Sequence, residues 1–194
     1  LHRLELVNNF ILAKLIVCLT GMPGSGKSTI VSALKGKDIE VLNLGDGVRA
    51  EAKRRNLEPT GDNLGKLMLE LRDKNGPGAI AELLTEPIKN SQSKVIIIDG
   101  VRSTAEIEVL KNAGSVKLLS IEAAADTRYK FLSSRGRSDD PATREKFEER
   151  DNRELGVGIS ESIAMADETI VNSDITLDEL TERAYKVIEK WIDT

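Results

Sequence analysis

Five short apolar runs recur along the chain, and each is followed by at least one segment whose apolar residues repeat at helical spacing. The runs at Leu15–Thr20, 39–44, 94–98, 116–121 and Glu168–Val171 read as strands. Their apolar residues are continuous rather than alternating, the pattern of a strand covered on both faces. The segments Lys27–Leu34, 47–56, 62–75, 78–90, 104–112, 126–135, 141–155 and Leu177–Ile192 read as helices, with the third and fourth meeting at Gly76-Pro77. Strands alternating with helices predict an α/β fold of three layers around a five-stranded parallel sheet. Two helical insertions, 57–92 and 126–158, are longer than a simple crossover requires.

A length of 194 residues fits one domain over 13–194, preceded by an extension at 1–12. The longest apolar stretch, 10–19, is broken by Lys14 and is too short to span a bilayer. Reading it as a signal peptide fails as well, because cleavage there would remove or abut the most informative motif of the chain. With 28 basic against 32 acidic residues the net charge is −4, which argues against a nucleic-acid coat. Six aromatics are too few to stack bases along a single strand. Cys18 is the only cysteine and lies in an apolar run, as expected of a buried thiol in a reducing, cytoplasmic compartment. His2 is the only histidine, which removes intrachain Ser-His-Asp and Cys-His triads and any site needing two histidine ligands.

Gly21-Met22-Pro23-Gly24-Ser25-Gly26-Lys27-Ser28 fits the phosphate-loop pattern and stands between a strand and a helix. Its glycines let backbone N–H groups curl around a phosphate, and the helix N-terminus adds a favourable field. The pattern assigns Lys27 to the β- and γ-phosphates of ATP and the Ser28 hydroxyl to Mg²⁺, with Thr29 beside them. The bland alternative is a tight glycine turn without a ligand. Asp99 closes a β-branched run at the edge where open α/β sheets bind ligands, so it is a second Mg²⁺ residue or else a helix cap. No NKxD-type guanine motif and no LSGGQ-like signature is present.

Three further stretches carry a family resemblance. Gly45-Asp46-Gly47-Val48-Arg49 resembles the GDxxR segment of adenylate kinases, and Asp99-Gly100-Val101-Arg102-Ser103 resembles their DGxPR segment with one residue fewer. Arg135-Gly136-Arg137-Ser138-Asp139-Asp140 resembles the start of their lid. The 166–172 segment is similar to the ADxxIxN ending of dephospho-CoA kinases. The chain as a whole resembles the nucleoside monophosphate kinases, most of all the archaeal adenylate-kinase-related proteins. The resemblance implies a phosphate-loop kinase fold, with 57–92 binding the acceptor and 126–158 acting as the lid. It also implies ATP and Mg²⁺ as cofactors and a small nucleotide as acceptor. Arg49 and Arg102 then hold the acceptor phosphate, and Asn172 lies near the adenine.

The residues themselves leave alternatives beside each assignment. Arg49 and Arg102 follow strands and offer guanidinium forks for a phosphate, or remain solvated. Asp46 caps the next helix and orients Arg49, or serves as a base toward a hydroxyl acceptor. Arg72 reaches the acceptor or lies on a solvated helix face. Of the lid arginines, Arg135 and Arg137 are assigned to the transferring phosphoryl group, Arg128 comes second, and Arg144 is read as structural. Arg144–Glu148 and Glu149–Arg153 have the spacing of surface ion pairs. Ser173, Asp174 or Thr176 caps the last helix. A nucleotide-dependent switch acting on a protein or RNA partner is the function of another class, and the sequence leaves the oligomeric state open.

Overall fold

Parallel strands buried on both faces need apolar side chains on both sides of the sheet, and the central strands supply them. In the computed structural model, which describes residues 14–35, 39–137 and 140–194, five parallel strands stand in the order β2-β3-β1-β4-β5. They are β1 (Leu15–Thr20), β2 (Glu40–Asn43), β3 (Val95–Val101), β4 (Ser115–Glu122) and β5 (Glu168–Val171). The helices are α1 (Lys27–Leu34), α2 (Leu44–Arg54), α3 (Gly61–Asn75), α4 (Ala79–Glu82), α5 (Thr85–Asn90), α6 (Thr104–Lys111), α7 (Ala125–Arg135), α8 (Arg144–Val157), α9 (Ile159–Ala164) and α10 (Leu177–Ile192). The three-layer parallel α/β fold expected from the sequence is therefore the fold observed. The extension read at 1–12 lies outside the described residues.

Side chains alternate across each strand, so one sheet feeds two cores. Ile16, Cys18, Ile96, Ile98 and Leu118 face one layer, where they meet Val48 of α2, Leu67 and Leu71 of α3, Ile80 of α4 and Ile107 of α6. Val17, Leu19, Ile97, Leu119 and Ile121 face the other, packed on Ile30 and Leu34 of α1 and Leu180, Ala184, Ile188 and Trp191 of α10. The 57–92 segment is thus built into a main helical layer, not set apart from it.

Element ends differ from the sequence reading at places with local causes. Helix α2 starts at Leu44 because Asn43, not Asp46, is its N-cap: the Asn43 side chain accepts a hydrogen bond from the Asp46 amide at 3.2 Å. The helix expected over 78–90 is two short ones, α4 and α5. Helix α9 was not expected; it follows Gly158, which takes the left-handed conformation that ends α8. Thr176 is the cap of α10 and forms a capping box with Glu179.

Candidate active site

The loop after β1 takes its shape from three glycines. Gly21, Gly24 and Gly26 have φ of +130°, +82° and +113°, conformations that side chains rarely adopt. Each also lies hard against another element: a Cβ on Gly21 would stand 2.1 Å from the Ile121 carbonyl oxygen of β4, and one on Gly24 would stand 2.6 Å from that of Arg128 in α7. One on Gly26 would meet the Asn172 amide at 2.6 Å. Asn172 is buried beyond β5 and donates to the Ser25 carbonyl at 2.9 Å.

Lys27 opens α1 and bends back over the loop. Its Nζ donates to the carbonyls of Gly21 at 2.5 Å and Met22 at 3.1 Å, and to the Ser25 hydroxyl at 3.3 Å. Lost hydration pushes its ammonium down to about 8, with Asp99 pulling it up and Arg102 adding to the depression.

Asp99 pairs in register with Leu19 of β1 on one side and Asn43 of β2 on the other. Strand β3 continues past it through Gly100, at φ +91°, and the ladder to β1 shifts by one residue there. The Asp99 carboxylate is 8% exposed; Oδ2 accepts from the Asn43 amide at 2.7 Å, and Oδ1 is buried with no hydrogen-bond partner. An orphaned carboxylate oxygen beside Ser28 is the donor set of a hard cation, so these residues fit Mg²⁺. Among the described residues no cluster of three or more acidic, histidine or cysteine side chains forms a metal site by itself. Phosphate oxygens and water would supply the remaining ligands of such an ion.

Gly21, Pro23, Gly24, Gly26, Lys27, Ser28 and Asp99 line one cleft with Arg49, Arg102, Arg135, Arg137 and Arg150. A second cavity adjoins it between α2, α3 and α8. Val48, Leu64 and Met68 give it an apolar wall, and Arg49, Arg102, Arg150, Arg153 and Glu154 give it charge. Three of these arginines, Arg49, Arg102 and Arg150, line both spaces. A third hollow follows the loop on its other side, lined by Thr29, Phe131, Leu132, Arg135, Asn172 and Leu177.

The arginines meet different partners. Arg49 pairs with Asp46 at 2.8 Å, and that aspartate side chain is 74% exposed. Arg102 Nε lies 2.8 Å from the buried carboxylate of Glu154, and its amide donates to Glu106 at 2.7 Å. Arg135 holds Asp140 through two nitrogens, the Arg137 amide donates to the same carboxylate at 2.9 Å, and Arg150 stands 3.8 Å from it. Burial acts to raise the Asp140 carboxyl, yet Arg135, the Arg137 amide and Arg150 hold it below its ordinary value.

Other sequence expectations place differently. Arg72 is not on a solvated face and does not line the cleft; it donates to the fully buried Glu106 at 2.6 Å. Arg128 is buried in a two-pronged pair with Asp151, at 2.9 and 2.5 Å, and donates to the Pro23 carbonyl at 3.1 Å. It braces the loop from behind. Arg144 pairs on the surface with Glu148, as its spacing foretold, and also with Asp126. Arg153 does not pair with Glu149, which binds Lys146 instead. Glu154, Glu106, Asn43 and Asp140 carry site geometry that the sequence reading did not single out. Only the Glu154 position had a signal, since residues 150, 153 and 154 share one helical face.

Comparisons with known proteins agree with this architecture. Residues 20–148 match the family described as AAA domain. The UPF0200 protein of Pyrococcus abyssi is 42% identical over 165 residues, covering 82% of this chain and 88% of that protein. The UPF0200 protein of Hyperthermus butylicus is 38% identical over 177 residues, covering 91% and 95%. Among solved structures, TT1252 from Thermus thermophilus matches with a TM-score of 0.62 at 19% identity, over 92% of this chain and 97% of that one. Shikimate kinase from Acinetobacter baumannii in complex with shikimate matches at 0.56 and 15% identity, over 94% and 97%. These structural likenesses show a phosphate-loop kinase fold. No described helix is long and apolar enough to cross a membrane.

Proposed function

The chain belongs to the UPF0200 proteins and carries the AAA domain, and from that premise we propose that it is a phosphotransferase moving the γ-phosphoryl group of ATP to a small nucleotide. The observation that carries this reading is the trio Arg49, Arg102 and Arg150, shared between the phosphate-loop cleft and the adjoining cavity. A pure ATPase has no use for a second cavity whose cations border the first.

In this reading the phosphates of ATP lie on the loop amides and draw Lys27 off the Gly21 and Met22 carbonyls. The adenine takes the hollow of Thr29, Phe131 and Leu177, bounded by Asn172. Ser28 and Asp99 hold Mg²⁺, whose charge offsets that of the phosphates. The acceptor lies against Val48, Leu64 and Met68, with its phosphate on the forks of Arg49 and Arg102. One of that phosphate's oxygens is already a nucleophile. It bonds to the γ-phosphorus as the bond to the β,γ-bridging oxygen breaks, so no general base is needed. Arg135 leaves Asp140 and joins Arg137 at the spreading charge, and α7 and α8 exclude water. A nucleoside monophosphate is the simplest acceptor that fits.

Asp46 separates this from a hydroxyl acceptor such as dephospho-CoA. Its exposure and its pair with Arg49 suit an orienting role, so Asp46→Asn is expected to leave turnover within a few-fold. Arg49→Ala is expected to raise the acceptor KM. Turnover is measured with AMP, CMP, UMP and dephospho-CoA as acceptors. Phosphorylation of dephospho-CoA alone, with Asp46→Asn losing about 10²-fold or more, overturns the monophosphate reading. ATP hydrolysis that no acceptor changes favours the switch.

A further inference from the structure

Among the described residues, one cation of the acceptor cavity has no counter-charge. Arg49 has Asp46, Arg102 has Glu154, and Arg150 has Asp140. Arg153 has no ion pair among the described residues, and its Nε is buried without a hydrogen-bond partner. It is nevertheless held in place. Its guanidinium lies against the backbone of α3 at Gly65, where a Cβ would come within 2.5–2.9 Å of three of its atoms. Glycine inside a helix costs about 1 kcal/mol relative to alanine. Here that cost makes room for a planar cation against the helix.

Position decides what this cation faces. Arg49, Arg102 and Arg150 border the phosphate loop as well as the acceptor cavity, whereas Arg153 borders the cavity and not the phosphate-loop cleft. A group resting on Arg153 is therefore not the one that attacks the γ-phosphorus. A guanidinium has only donors to offer, and when desolvated its best partner is an anionic oxygen pair. We infer that the acceptor carries a second anionic group, remote from the reacting one, and that Gly65 and Arg153 form its seat. The acceptor class is then a nucleoside bisphosphate, or a larger nucleotide with a second phosphate. This rests on the nucleotide-acceptor reading above and narrows it.

The test is calorimetric titration of the full chain with its donor site filled by a non-hydrolysable ATP analogue. AMP, CMP, UMP and GMP are each compared with the matching 2′,5′- and 3′,5′-bisphosphates. At least one bisphosphate is expected to bind roughly ten- to a hundred-fold tighter than its monophosphate, the range of a charge-assisted hydrogen bond. Arg153→Met should erase that difference while leaving monophosphate affinity unchanged. Gly65→Ala should erase it too, because its methyl displaces the guanidinium, and its melting temperature should not fall. Equal binding of mono- and bisphosphates by the unaltered protein overturns the inference and leaves the nucleotide-acceptor reading standing. So does an Arg153→Met variant that weakens both alike. If no nucleotide binds beside the ATP analogue, both fail together.

Discussion

Lys27 should make nucleotide affinity depend on pH in a window where ordinary lysines do not titrate. In the free protein its ammonium is pushed down to about 8 by lost hydration. Bound phosphates favour the charged form, so the pKa in the complex lies above that of the free protein. Binding then takes up a proton wherever the pH lies between the two values, and affinity falls as pH rises through the lower one. If the pKa in the complex is well above the window, Kd scales as 1 + 10^(pH − 8). The expected weakening is about 10-fold at pH 9 and about 30-fold at pH 9.5, relative to pH 7. About 0.9 proton should be taken up per ATP at pH 9. The other charged side chains acting on Lys27 are those of Asp99, Arg102, Glu154 and Arg150. The nucleotide's own phosphate ionisations are complete below it. The assay is calorimetric titration with the ATP analogue between pH 7 and 9.5, in buffers of different ionisation enthalpy. Lys27→Met should bind more weakly and show no slope. The opposite sign holds for the free protein's stability: a base with a lowered folded pKa opposes folding when charged, so stability should rise from pH 8 toward 10.5 in the unaltered chain relative to Lys27→Met. A flat Kd for the unaltered protein, or the same slope in Lys27→Met, refutes this reasoning.

Two stability predictions follow from the loop and its brace. Gly21→Ala forces a side chain into φ +130° and against the Ile121 carbonyl; backbone strain alone should cost about 1–3 kcal/mol, and a melting temperature within a degree of the parent's contradicts this. Arg128→Met leaves the half-buried Asp151 without its cation and should cost about 3 kcal/mol in denaturant unfolding. Adding Asp151→Leu should restore most of that loss, and a double variant no more stable than the single one refutes the brace.

What the sequence revealed depends on how local each determinant is. The phosphate loop was legible because its glycines, Lys27 and Ser28 are contiguous and their strand and helix adjoin them. Asp99 was legible because a β-branched run leads into it, although β3 extends two residues beyond. The β3 extension sets where Arg102 emerges. Arg72 and Arg128 were misjudged because their partners, Glu106 and Asp151, are 34 and 23 residues away, and a helical pattern does not say which face meets a buried carboxylate. The counter-ion of Arg102 was hidden for the same reason. Glu154 lies on a helix whose strongly charged sequence reads as solvated, yet it is buried once α8 covers the cavity. Gly65 carried no signal in the sequence, because the guanidinium it makes room for belongs to a distant helix.

The glycines of the phosphate loop fit against three partners that lie far along the chain. The bond that carries Asn172 to Ser25 spans 147 residues, and the one from Arg128 to Pro23 spans 105. A loop that looks self-sufficient in sequence is therefore completed by the last strand-end and by α7. During synthesis, β1 and α1 emerge early, but the walls that hold the loop's backbone emerge long after. Closing contacts of such separation is slow and comes only once the sheet has its full width. Nucleotide binding thus reports completed folding: a nascent or C-terminally clipped chain without Asn172 keeps the whole motif and lacks the support that shapes it.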